Sequence, residues 1–206
     1  MSIERVDFLV EEASMETFLR CFLPKLLTKT AFEVYAHQSK HQMLDRLPAR
    51  LRGYSKFLPD KTRVVVLMDR DRENCYELKA RLEKIGRKAS LITKSRAQSD
   101  RFQIVNRIVV EELESWFFGD WPAVCAAYPK LSPNVPAKSA YRDPERINGA
   151  AWEAFERVMK RAGYFKGGLR KIEAAQNIAP HMSIGLNKCR SFHVFCEALA
   201  SFETDK

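Results

Sequence analysis

Apolar positions along this chain fall first into short unbroken runs and only later into helical spacing. Val6-Asp-Phe-Leu-Val10 is a mostly apolar run that stops at Glu11-Glu12, and Ser14 follows as an N-cap for a helix over 15–27. The opening therefore predicts strand, loop, helix. Residues 31–36 predict a second strand. Met43, Leu44, Leu47, Leu51 and Tyr54 then recur at helical spacing within 41–57, with Pro48 as a candidate interruption. Arg63-Val-Val-Val-Leu-Met68 is the clearest strand, β-branched and apolar without alternation, as expected of a central parallel strand covered on both faces. It ends abruptly in Asp69-Arg70-Asp71. Residues 72–85 predict a helix closed by Gly86, 89–93 a short strand and 102–110 a further one. The order βαβαβαββ implies an α/β fold, a mostly parallel sheet flanked by helices with right-handed crossovers.

Beyond Glu111-Glu-Leu-Glu-Ser-Trp-Phe-Phe118 the texture changes. Pro122, Pro129, Pro133, Pro136 and Pro144 punctuate the chain before helical patterns at 151–162 and 191–202. This divides the molecule into an α/β domain over 1–128 and a helical C-terminal extension over 129–206 packed on it. The 206 residues suffice for a real core, and their net charge of +9 makes nucleic acid the first partner class to weigh. No stretch approaches the roughly 18 uninterrupted apolar residues of a membrane span. The five cysteines are odd in number and contain no C-x-x-C pair, which predicts free thiols in a reducing, cytoplasmic setting.

In an open parallel sheet, ligands bind in the crevice beyond the carboxyl ends of the strands. Glu11 and the Asp69/Asp71 pair both fall at such ends. In extended backbone, residues two apart point the same way, so Asp69 and Asp71 can face one ion while Arg70 turns aside. Three carboxylates in one crevice repel one another unless a cation neutralises them, and an all-oxygen set favours Mg²⁺ or Mn²⁺ over zinc. Capping of the following helices would explain any one of these acids alone. Glu111, Glu112 and Glu114 follow another strand end. They either add an acid to the site, with Glu112 preferred over Glu114, or serve the first turn of a helix.

Val10-Glu11 opening a loop before a helix, with Asp69-Arg70-Asp71 closing a central strand, resembles the Toprim domain of topoisomerases, primases and OLD-type nucleases. Over nearly its full length the chain also resembles a bacterial family of small stand-alone Toprim-like proteins of unknown function. The residues that carry this are Val10-Glu-Glu-Ala-Ser14, Leu47-Pro-Ala-Arg-Leu-Arg-Gly53, Val64-Val-Val-Leu-Met-Asp-Arg-Asp71, Glu112-Leu-Glu-Ser-Trp-Phe-Phe-Gly-Asp120 and Ala162-Gly-Tyr-Phe-Lys-Gly-Gly-Leu-Arg-Lys171. The resemblance implies Glu11 as metal ligand or general acid/base, with Asp69 and Asp71 holding Mg²⁺ or Mn²⁺. It also implies a further acid about a helical turn after Glu11. That position falls on Met15, with Glu16 beside it, so Glu112 and Glu114 are the candidates for the missing ligands. OLD-type Toprim domains work with an ATPase, and this chain has no G-x-x-x-x-G-K-[ST] loop of its own. The resemblance thus implies a separately encoded ATPase partner and a role in phage defence.

Basic residues crowd the segment 157–190, where Gly167-Gly168 gives a turn beside Lys166, Arg170 and Lys171. These three are the candidate nucleic-acid contacts, with Lys171 or Lys166 steadying the phosphate, although any single one also fits a solvated helix face. A second basic stretch runs from Arg46 to Arg63. Cys189, His193 and Cys196 share one helical face, but their spacing fits no common zinc motif and their apolar neighbours predict core residues. His37 and His41 are expected to be exposed. The leading expectation is a Mg²⁺-dependent nuclease acting on DNA or RNA, against a non-catalytic nucleic-acid-binding or regulatory module. A phosphatase of the aspartyl-nucleophile kind fits less well, because Glu73 stands where that class places Thr.

Overall fold

The computed structural model describes residues 2–98 and 101–203. Four parallel strands, β1 (Arg5–Val10), β2 (Ala31–Ala36), β3 (Thr62–Asp69) and β4 (Ile104–Val109), form one sheet in the order β2-β1-β3-β4. β3 is buried at every position and β1 at all but its first. Their unbroken apolar runs follow from this, because successive side chains enter two different cores. Leu9, Val64, Val66 and Met68 pack with Met43, Leu47 and Leu51 of α2 (Lys40–Phe57) and Leu78 and Leu82 of α3 (Cys75–Lys88). Phe8, Val10, Val65 and Leu67 face the other way.

That second core is larger and aromatic. It takes in Phe18 and Phe22 of α1 (Ala13–Phe22), Trp116 and Phe117 of α4 (Leu113–Gly119), Phe155 of α6 (Ala151–Arg161), and Phe192 and Phe195 of α8 (Arg190–Glu203). Trp116 sits at its centre, its ring 5.7 Å from Phe18, 5.0 Å from Phe192 and 5.4 Å from Phe195, and its indole N–H donates to Ser191 Oγ at 2.9 Å. Buried aromatics of this kind contribute most per residue to a core, and a polar partner for the indole removes the cost of burying it. The remaining helices are α5 (Trp121–Ala127) and α7 (Lys171–Ile178). Among the described residues no helix is long and apolar enough to cross a membrane.

Four expectations change. Residues 89–93 do not form a strand; one isolated bridge joins Thr93 to Ile104. Just before it Ser90 adopts φ +62, and Leu91 N–H donates back to Gly86, so this stretch is still closing α3. α3 itself begins at Cys75 rather than 72, because Asn74 caps it by accepting from Tyr76 and Glu77 N–H at 2.9 and 3.3 Å. The first helix runs from Ala13 to Phe22 and hands over to a 3₁₀ turn at Leu23–Lys25 containing Pro24. α2 passes through Pro48 unbroken, held by its buried face of Met43, Leu44, Leu47 and Leu51.

Candidate metal centre

The carboxyl ends of β1, β3 and β4 deliver acids to one place. Asp69 closes β3 opposite Val109, the last residue of β4. The ladder then continues past both strands, with Arg70 N–H donating to Val109 O at 2.8 Å and Asp71 N–H to Glu111 O at 3.0 Å. Asp71 and Glu111 adopt φ +51 and +61. Two facing residues with side chains in the left-handed region are costly, and such strain gathers where a site must be held in shape. It also changes the geometry expected from sequence. Asp69 and Asp71 do not lie on one extended strand, so alternation does not aim both carboxylates alike.

Asp71 turns to Lys40 instead. Lys40 Nζ donates to Asp69 O at 2.8 Å, Arg70 O at 3.1 Å and Asp71 Oδ2 at 2.8 Å, and it lies 2.8 Å from Glu73 Oε1. One ammonium thus ties down the whole 69–73 turn. Burial opposes its charge, but the bonds to Asp71 and Glu73 hold its pKa above the ordinary lysine range. On the other side Arg70 pairs with Glu111.

The inner acids are unlike these paired ones. Asp69 is 6% exposed and Glu114, in the first turn of α4, is 2% exposed. Asp69 Oδ1, Glu114 Oε2 and Glu11 Oε2 are buried and accept no hydrogen bond from a described residue. Burial, with the charges of Glu11, Glu114, Glu12 and Asp71 added to it, pushes Asp69 well above the usual carboxylate range. Burial and then the charge of Asp71 raise Glu11 to about 7, and burial raises Glu114 to about 7 against the pull of Lys171. Buried carboxylates that lack partners and repel one another are what an added cation would relieve. Among the described residues, however, no group of three or more His, Cys, Asp or Glu side chains stands gathered as a ready ligand set.

Lys171, the first residue of α7, is the inner cation. Its Nζ lies 3.2 Å from Glu12 Oε1 and 4.0 Å from Glu114 Oε1, and 5.8 Å from the centre of the Trp152 ring. Burial opposes its charge, but Glu114 and Glu12 raise its pKa above the ordinary value. Glu112 stands further out, with Oε2 accepting from Trp152 N–H at 2.8 Å. Lys166 is exposed, and exposed Arg170 pairs with Glu173 at 2.9 Å across the Phe165 ring. Met15 is buried in the aromatic core and Glu16 pairs outward with Arg20 at 2.9 Å, so α1 sends no further acid inward from there. Glu12 is the acid that sequence reasoning passed over, although its place next to Glu11 was a signal. Lys40 gave none, because its role depends on where α2 begins relative to β3.

The other candidates disperse. In the Arg46 to Arg63 stretch, Arg63 is buried, Lys61 pairs with Glu4, and Arg50 stacks 4.2 Å over Tyr35. Cys189 and Cys196 are buried, and His193 Nε2 is 2.6 Å from Asn187 O. His41 is exposed as expected, but His37 is not. At 8% exposure it is buried, its ring anchored through Nδ1 to Val10 O at 2.9 Å, because the end of β2 carries it back toward β1.

A family model described as Domain of unknown function (DUF4276) matches residues 10–200, a span that opens one residue before Glu11 and contains every acid and lysine of the centre. The chain belongs to the DUF4276 family. No curated protein matches it. Among solved structures, the DUF4276 chain is similar to the C-terminal region of the Xanthomonas campestris pv. campestris OLD protein, at 17% identity and a TM-score of 0.45, over 96% of this chain and 95% of that one.

Proposed function

We propose that this protein is a Toprim-type nuclease that uses Mg²⁺ or Mn²⁺ to cleave phosphodiester bonds in DNA or RNA. The observation that carries the reading is the set of three buried, partnerless carboxylate oxygens on Asp69, Glu11 and Glu114 at the carboxyl ends of a parallel sheet. The donor set is all carboxylate, the hard-oxygen chemistry that suits these cations. Asp69, Glu11 and Glu114 would hold the ion, with Asp71 and Glu112 at the margin. When bound, it supplies a Lewis acid for a phosphodiester oxygen and a water of lowered pKa.

The chain's own residues supply the rest. Glu11 is placed to take or return a proton at its carboxylate. Lys171 balances Glu12 and Glu114 and offers positive charge beside the centre. Lys40 keeps the 69–71 turn in its strained shape without spending its own charge on substrate. The net charge of +9 favours a polyanionic substrate, and exposed Lys166 and Arg170 extend that surface outward.

The test is cleavage of supercoiled plasmid and of structured RNA with Mg²⁺ or Mn²⁺, run beside Asp69→Ala. Cleavage lost with EDTA and in the variant supports the reading; unchanged cleavage by the variant removes it. One observation favours a second reading. Met15 lies in the core where OLD-type enzymes place a further acid, which suits a module that binds nucleic acid without cutting it and acts with a separately encoded ATPase, for example in phage defence in the cytoplasm. Metal and nucleic-acid binding without cleavage, by the isolated chain and equally with the ATPase present, would favour it.

A further inference from the structure

Beside the acidic centre lies a cleft of about 560 Å³, walled by Glu12, Ala13 and Ser14 at the start of α1, by His37 and Gln38 after β2, and by 169–172 at the start of α7. Its volume is in the range of small-ligand sites. Two features of its wall favour an anionic ligand, and its acid does not oppose one. Arg170 and Lys171 both line it. The helices α1 and α7 both open onto it, and neither has a side chain capping its first-turn N–H groups. Glu12, the acid on the wall, is already paired with Lys171 and accepts from Ser14 Oγ at 2.7 Å. Nothing in this lining repels an anion without compensation.

His37 adds the decisive detail. A backbone carbonyl can only accept, so the 2.9 Å contact with Val10 O makes Nδ1 the donor. Nε2 is then the atom left for a ligand, and no described residue hydrogen-bonds to it. A histidine that is 8% exposed, fixed by one nitrogen and partnerless at the other on the wall of a cleft, is a binding group held ready.

We infer that this cleft is a subsite for a phosphate ester of a nucleic-acid strand, the one flanking the bond presented to the acidic centre, with His37 Nε2, Arg170 and the first-turn N–H groups of α1 and α7 as its contacts. The inference rests on the nuclease reading for its placement but not for its chemistry. His37 contacts the strand through Nε2, as acceptor from a ribose hydroxyl or a base N–H. Arg170 leaves Glu173 for the phosphate.

The experiment is binding of fluorescent single-stranded DNA and RNA 12-mers in EDTA, which suppresses any cleavage, by the wild type, His37→Asn and Arg170→Gln. Asn can still donate to Val10 O, so the first variant removes Nε2 alone. Equal melting temperatures exclude a folding defect, and exposed Arg170 gives a second variant with no core to disturb. Each substitution is expected to weaken binding about tenfold. Unchanged affinity in both variants overturns the subsite. Competition by a nucleoside monophosphate as effective as by the unlabelled oligonucleotide overturns the strand as the source of the phosphate. Mg²⁺-induced thermal stabilisation, measured on the same samples, reports on the acidic centre separately. A His37-dependent affinity without it sinks the nuclease reading and leaves the subsite, and the reverse result does the opposite.

Discussion

Two buried carboxylate regions lie along the same sheet and have opposite chemistry. Glu83 on α3 is 8% exposed, yet it accepts from Asn106 Nδ2 at 2.8 Å and from Ser95, and lies 3.3 Å from Lys79 Nζ. Burial alone would raise its pKa, but these partners bring it down to about 2. Asp69 and Glu114 are also buried, each with one oxygen that accepts no hydrogen bond from a described residue, and both are raised, Glu114 despite Lys171 at 4.0 Å. In the first region both Glu83 carboxylate oxygens accept hydrogen bonds, which ties α3 and the 93–95 turn to β4. The second stores unfavourable electrostatics. Stability alone would not favour such an arrangement, which is why the second region reads as a binding site and the first does not.

The contrast breaks most visibly under substitution. Asp69→Asn is expected to lower cleavage by at least about a hundredfold while melting no lower than the wild type in the absence of metal, since it removes a buried carboxylate whose Oδ1 has no partner among the described residues. Glu83→Ala should do the reverse. It leaves Asn106 Nδ2 and Ser95 Oγ without their acceptor and removes the ion pair of Lys79, so urea denaturation should show a loss of about 3 kcal/mol, with cleavage per folded molecule retained. If Glu83→Ala proved silent in stability, or Asp69→Asn strongly destabilising, the two regions would not differ as described.

Lys40 sharpens the comparison, being a paired group that serves the unpaired ones. Lys40→Gln should release the 69–73 turn and weaken Mg²⁺ binding about tenfold by calorimetry, with Lys40→Arg recovering part of it. A purely structural role would instead lower melting temperature and leave metal affinity alone.

pH titration separates the regions by sign. Glu83 has a folded pKa near 2 against an ordinary 4.5, so the stability it contributes is whole above about 4.5 and drains away as pH falls toward 2. Glu11 and Glu114 have folded values of about 7 against 4.5. Folding then favours their protonated forms, and the metal-free protein loses their contribution as pH rises from about 4.5 to about 7. Glu11→Gln with Glu114→Gln should reduce the loss on the neutral side only, Asp69 contributing the rest, and Glu83→Gln should reduce the loss on the acid side only. The smallest effect belongs to Lys166→Ala, which should reduce the salt dependence of nucleic-acid binding by about one unit of slope and leave melting unchanged.

The sheet was legible because β1 and β3 are buried on both faces and their runs of Val, Leu and Phe have no other use. The helices α5 and α7 were not marked, and α4 was offered only as an alternative use of Glu111, Glu112 and Glu114. α4 is buried at every position, so Leu113 to Gly119 shows no helical periodicity, and α7 is short. Glu11, Asp69 and Asp71 could be singled out because each stands at or just past a strand end, whereas between the two later acids the sequence favoured Glu112, and the fold buries Glu114 instead. What sequence could not supply was the partner of each acid. Lys40 and Lys171 reach the centre from 29 and 102 positions away from Asp69 along the chain. His37 was expected at the surface because nothing local indicates that Val10 O would anchor it.

Whether the unpaired region is a cation site is tested most directly by melting the wild type and Asp69→Asn at pH 7.5, with and without Mg²⁺. A rise of several degrees in the wild type that Asp69→Asn lacks is the predicted result. No rise, or the same rise in both proteins, would contradict it.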